Sequence, residues 1–96
     1  MKTVIANWKM NVGTRESVAL ARGVLLALRG RNCFPEVVLC PPFPALSETH
    51  KVLARSHASL GAQDVFWEDH GAFTGEVSPR MLIEHGVTHA IIGHSE

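Results

Sequence analysis

Four short runs constrain this chain more than anything else in it, because each reads as a strand and the gaps between them each hold a helix. They are Thr3-Val4-Ile5-Ala6, Val37-Val38-Leu39-Cys40, the weaker Ala58-Ser59-Leu60-Gly61-Ala62-Gln63, and Thr88-His89-Ala90-Ile91-Ile92. The second is apolar without alternation, as a strand covered on both faces reads, and the last reads as buried too. Each gap exceeds the roughly dozen residues needed to bring a strand back parallel to its predecessor. The order is therefore strand, helix, strand, helix, strand, loop plus helix, strand. This is an α/β fold of four parallel strands in one domain over residues 1–96.

The helices carry their own punctuation. Thr14 is placed to cap a helix over residues 15–29, with Val18, Ala21, Leu25 and Leu28 on one face and Gly30 as its stop. Gly23 inside it costs about 1 kcal/mol relative to alanine. Pro44 opens a second helix over 45–55, whose inner face is Leu46, Thr49 and Leu53. The third has Ser78 as N-cap, Pro79 at its first position, Met81-Leu82-Ile83 facing inward and Gly86 as its stop. Between them, residues 64–77 have no period, and a loop this long in a compact α/β unit is usually functional or an interaction arm. Its tip, around Phe73 and Thr74, reads equally as a contact or as disorder.

Polar residues gather where the strands end. The first run stops in Asn7-Trp8-Lys9-Met10-Asn11, the second in Pro41-Pro42, the third in Gln63 and the fourth in Gly93-His94-Ser95-Glu96. In α/β folds the C-terminal strand ends form the ligand rim. Alternation along an extended chain puts Asn7 and Lys9 on one side and Trp8 on the other. Lys9 is either a fixed positive charge for an anionic ligand or a solvated lysine, and Asn7 must satisfy its amide somewhere, if only by orienting Lys9. His94 is either a ligand-facing imidazole or a hydrogen-bonded structural one.

Other chemistries lack their signatures. His85 suits the end of the third helix, and Gly86 breaks the helix between it and His89, which leaves no zinc half-site. His94-Ser95 is no nucleophile pair, since adjacent side chains on an extended segment diverge and no G-x-S-x-G elbow is present. Ser95 reads instead as a helix cap. The glycines of the long loop lack the Lys and Ser/Thr of a phosphate loop. Nine basic and nine acidic residues balance without runs, so neither nucleic acid nor a membrane surface is indicated and a small ligand is. Cys33 and Cys40 fit neither a redox pair nor a zinc site and read as reduced thiols in a cytosolic protein. No signal peptide or apolar span is evident.

In order and spacing, Asn7-Trp8-Lys9-Met10-Asn11, Cys40-Pro41-Pro42, Gly61-Ala62-Gln63, Gly71-Ala72-Phe73-Thr74-Gly75-Glu76 and Ile91-Ile92-Gly93-His94-Ser95-Glu96 closely resemble the N-terminal part of the triosephosphate isomerase family. The resemblance implies the first half of a (β/α)8 TIM barrel, a fold of about 250 residues. It implies a cytoplasmic homodimer of glycolysis and gluconeogenesis that interconverts dihydroxyacetone phosphate and D-glyceraldehyde 3-phosphate through an enediolate, with no metal or cofactor. By the same resemblance, Lys9 holds the substrate and the enediolate charge, and Asn7 lines that floor while Trp8 mostly packs. His94 is the neutral electrophile, Ser95 opens the helix that follows, and Glu96 is a buried partner near Lys9. Phe73, Thr74, Gly75 and Gln63 become dimer contacts, with Thr74 inserted into the neighbouring subunit. The family's carboxylate base, lid and phosphate loops belong to the sixth to eighth strands, so the chain reads as a fragment, inactive alone, with two unpaired sheet edges. The alternative is a non-catalytic, flavodoxin-like open module that binds a small phosphorylated ligand or serves in assembly.

Overall fold

The structure, a computed structural model, describes residues 2–31 and 35–96, so the free thiol expected of Cys33 lies outside the described residues. Strand β1 (Thr3–Asn7) leads through helix α1 (Thr14–Leu28) to β2 (Glu36–Cys40). A 3₁₀ turn (Phe43–Ala45) runs into α2 (Leu46–Leu53), then come β3 (Ala58–Ala62), the long loop, α3 (Pro79–Glu84) and β4 (Val87–Ala90). All strands pair in parallel in the order β1-β2-β3-β4. A flavodoxin-like sheet would hold its first strand between the second and third. The sequential order overturns that alternative and is the order of a barrel wall.

The pleat sorts the side chains into two unlike faces. Val37, Leu39, Ala58, Leu60, Ala62 and Val87 join Ala21, Leu46, Leu53 and Leu82 from the three helices in a single core, with Ala6 and Trp8 packed against it. Each large side chain buried there contributes about 2 kcal/mol. The other face carries a groove of about 360 Å³ lined by Ile5, Asn7, Cys40, His89, Ala90, Ile91 and His94, and no helix of the described residues lines it. Gly61 is what lets this face close up locally. A Cβ there would meet Cys40 Sγ at 2.5 Å and Val38 Cγ1 at 2.9 Å, so both side chains lean over the glycine. The register slips between Leu60 and Gly61, which oppose Val87 and His89. Thr88 is the extra residue, and it turns His89 to the groove side.

Several local expectations need correction. Thr14 is the first residue of α1 and not its cap; Gly13 takes that position without a side-chain bond. The Thr14 hydroxyl donates instead to the Pro44 carbonyl at 3.4 Å. The second helix is shorter than 45–55, because Pro44 first tightens the chain into the 3₁₀ turn and Arg55 ends it in a left-handed conformation, φ +70°. In α3 the Ser78 hydroxyl does cap the Met81 N–H at 3.2 Å. Only Leu82 faces inward there, at 3% exposure against 69% for Ile83, since consecutive helical residues point some 100° apart. The fourth strand is buried only at Val87; Thr88 and Ala90 are exposed. Among the described residues β1 and β4 are both edges, so Val4, Ile5 and Ile92 are exposed and pairing ends at Ala90, with one further bond from Ile91 N–H to Ala62 O at 2.9 Å.

Candidate active site at the strand-end rim

The site begins where β1 stops being a strand. The Trp8 N–H extends the ladder to Cys40 O at 3.1 Å, and the indole packs on the helix-covered side as alternation requires. Alternation does not reach Lys9, whose φ of +54° is left-handed. That conformation costs a side-chain-bearing residue roughly 1–2 kcal/mol. Amide side chains hold it there. Asn7 Oδ1 accepts the Lys9 N–H at 3.0 Å, and Gln63 Nε2 donates to Lys9 O at 2.9 Å and to Cys40 O at 2.8 Å. One residue away, Asn11 Nδ2 donates to Trp8 O at 3.1 Å.

Glu96 joins the two ends of the chain. Its Oε1 lies 2.6 Å from Lys9 Nζ and its Oε2 lies 3.5 Å from His94 Nδ1. The hydrogen bond from Lys9 holds the Glu96 carboxyl below its ordinary range; desolvation opposes this, and the charge of Lys9, with that of His94 when its ring is protonated, adds to it. Glu96 is the partner of Lys9 that was expected, but its side chain is 59% exposed and not buried. No described element covers this rim, so the pair is screened by water.

His94 follows Gly93, which turns the chain with φ +70°. Its Nδ1 accepts the backbone N–H of Glu96 at 3.1 Å. The nearby carboxylate oxygen would favour a proton on Nδ1, but the amide contact is shorter and directed, and it makes Nδ1 an acceptor. In the neutral imidazole the ring proton then sits on Nε2. Ser95 is exposed, and no helix starts within residues 94–96. Cys40, on the groove side, is a free thiol pushed up to about 11 by burial, which makes it unreactive.

The remaining candidates are spread over the molecule. His85 Nδ1 sits 3.3 Å from Ser47 Oγ. His89 lies 2.8 Å from the Thr88 hydroxyl and 3.6 Å from Glu36 Oε2. The described residues hold no group of three metal-capable side chains. In the long loop the Phe66 N–H bonds Val77 O at 2.8 Å, and the Glu76 N–H bonds Phe73 O at 3.0 Å. The Phe73 ring rests on Phe66 with centroids 4.5 Å apart, leaving Thr74 and Gly75 exposed at the tip of a hydrogen-bonded turn. Gln63 lines one pocket with Gly75 of that tip, while its amide nitrogen donates to Lys9 O and Cys40 O. Sequence reasoning noted an amide at that strand end but missed what it holds.

The triosephosphate isomerase family model matches residues 2–96. The chain is 47% identical over 96 residues to the triosephosphate isomerase of Prochlorococcus marinus, covering 99% of this chain and 40% of that protein. It is 50% identical over 95 residues to that of Pelodictyon phaeoclathratiforme, covering 99% and 38%. The crystal structure of triosephosphate isomerase from Bartonella henselae superposes with a TM-score of 0.87 at 36% identity, over 98% of this chain and 38% of that one. The chain thus spans about two-fifths of the length of the curated relatives it matches. A sequential parallel wall with helices on one face, an ordered lysine and histidine at its rim, and a family match over almost every residue lead to one assignment: the chain belongs to the triosephosphate isomerase family.

Proposed function

We propose that this chain supplies the Lys9–His94 part of an active site that interconverts dihydroxyacetone phosphate and D-glyceraldehyde 3-phosphate. The observation that carries the reading is the convergence of two residues from opposite edges of the sheet, Lys9 after β1 and His94 after β4, bridged by the two oxygens of Glu96. The Lys9 ammonium is a fixed positive charge where the enediolate develops, and such a preorganised charge favours the transition state over the ground state. His94, with its proton on Nε2, is the neutral donor that polarises the carbonyl and moves protons between the two oxygens. The family is itself the standing illustration of an imidazole kept neutral at a helix N-terminus.

On this reading Asn7 lines the floor beneath the substrate, and Trp8 contributes packing. The carboxylate that takes the carbon-bound proton, the lid and the phosphate loops are supplied outside these 96 residues, and no metal or cofactor is needed. The exposed tip at Phe73, Thr74 and Gly75 is the contact for a second subunit of a cytoplasmic homodimer in glycolysis and gluconeogenesis.

The test is a hybrid that joins residues 1–96 to the part of the Prochlorococcus marinus isomerase that they do not match. The hybrid is expected to isomerise triose phosphate, with His94→Gln lowering kcat by about 10²-fold or more. Thr74→Arg is expected to shift its sedimentation towards monomer. A folded hybrid without activity sinks the reading. A measurable rate from the 96-residue chain alone, abolished by His94→Gln, would overturn the assignment of the base to another segment.

A further inference from the structure

We propose that the cavity where the C-terminal ends of α1 and α2 meet is a binding site separate from the rim, for a small ligand that carries two linked phosphates. It lies at the N-terminal end of β3, at the opposite end of the strands from Lys9 and His94, and it does not depend on the functional reading of those residues. The cavity holds about 520 Å³, the size of a small-molecule pocket. Leu25 and Leu28 of α1 form a half-buried floor, and Arg29, Arg31, Arg55 and His57, all exposed, stand around it. No carboxylate among the described residues lines it. Three of the nine Lys and Arg side chains thus converge on one hollow that a neutral overall charge conceals.

Cations at helix C-termini are expected, because each end carries about half a negative charge. Two ends account for roughly one unit against three guanidinium charges, so about two units of positive charge remain unmet. Nothing among the described residues meets them. The Arg29 and Arg55 side chains have no hydrogen-bond or ion-pair partner there, in contrast to Lys9 on Glu96 and Lys51 on Glu48. Arg31 is held in place through its Nε, which donates to Ala27 O at 3.1 Å and leaves the two terminal nitrogens to a ligand. All three cations are arginine, whose planar fork matches pairs of phosphate oxygens. The left-handed backbone of Arg55 sets where α2 stops, and its guanidinium serves the cavity.

The experiment titrates the hybrid described above with inorganic pyrophosphate and follows backbone amide shifts. The amides of Gly30, Ser56 and Ala58 are expected to move on one saturable curve, and to do so equally in Lys9→Met, which separates this site from the rim. Replacing Arg29, Arg31 and Arg55 together by Gln is expected to weaken that binding by about tenfold or more, with kcat/KM for triose phosphate unchanged; added salt weakens it too. Arg31→Gln alone is expected to cost about threefold, and it carries the test if the triple variant fails to fold. ADP distinguishes two sources of the same chemistry. Tighter binding than pyrophosphate assigns the phosphates to a nucleotide resting on Leu25 and Leu28, and equal binding assigns the site to the phosphates alone. No saturable shift at these amides, a curve unchanged by Arg31→Gln, or hexaglutamate binding as tightly as pyrophosphate overturns the proposal. The titration reads binding only, so an inactive hybrid would end the functional reading and leave this test standing.

Discussion

Lys9 and Arg55 are the non-glycine residues with left-handed backbone among the described residues, φ +54° and +70°, and they reach it for different reasons. Arg55 sits just past α2, where the Ala54 N–H bonds His50 O at 2.8 Å and the Ser56 N–H bonds Leu53 O at 2.9 Å. It does what Gly30 and Gly86, both at φ +79°, do after α1 and α3. It is a helix stop with an unusual occupant, and among the described residues its side chain has no hydrogen-bond partner. Around Lys9, by contrast, Asn7 and Gln63 both grip the backbone. Strained conformations persist where the surroundings over-determine them, and such places are where function resides. The same dihedral is punctuation in one place and machinery in the other.

The sharpest way to break this comparison is to give both positions the residue their backbone prefers. Lys9→Gly in the hybrid is expected to lower kcat/KM by about 10³-fold or more, since it removes the charge that the developing enediolate needs. The urea midpoint is expected not to fall, because relief of roughly 1 kcal/mol of backbone strain outweighs an exposed ion pair. Activity surviving that change would make Lys9 another Arg55. Asn7→Ala leaves the ammonium in place and releases the Lys9 N–H. It is expected to lower kcat/KM by roughly tenfold and stability by about 1 kcal/mol, read from kinetics and urea unfolding of the same protein.

What the sequence made legible, and what it did not, follows the range of each interaction. Local signals held: Ser78 and Pro79 opened α3, and Gly30 and Gly86 stopped their helices. The αβ rhythm gave the parallel sheet, and the motifs gave the family and so the barrel. Thr14 failed as a cap because a partner 30 residues away, Pro44 O, competed for its hydroxyl. Buried status failed for β4 and Glu96, because burial is decided by what stands beside an edge and no property of the strand records that. Strand alternation does not govern Lys9, because the backbone turns left-handed there. The bond from Gln63 to Lys9 O spans 54 residues, and no local pattern announces such a bond.

Arg55→Gly is the counterpart at the stop. Glycine there removes the left-handed penalty but adds freedom to the unfolded chain, so a gain of about 0.5 kcal/mol is expected, with kinetics of the hybrid unchanged. A loss of activity would mean that the end of α2 communicates with the rim, and the two left-handed sites would no longer differ in kind.

The smallest effect concerns the carboxyl at the rim. Glu96 is held below its ordinary value chiefly by the hydrogen bond from Lys9, with the charge of Lys9, and that of His94 when its ring is protonated, adding to it. A carboxyl whose folded-state pKa is the lower one favours the folded state above its unfolded pKa, and that contribution disappears as pH falls through the folded value. Lys9→Met is therefore expected to raise the Glu96 titration midpoint, followed by the ¹³C shift of its side-chain carboxyl, whereas Arg55→Met moves it nowhere. A midpoint unmoved by Lys9→Met would assign the lowering to His94. The contact at 2.6 Å would then be a consequence of where the chain places Lys9, and the Asn7 and Gln63 bonds to its backbone would remain as what distinguishes it from Arg55.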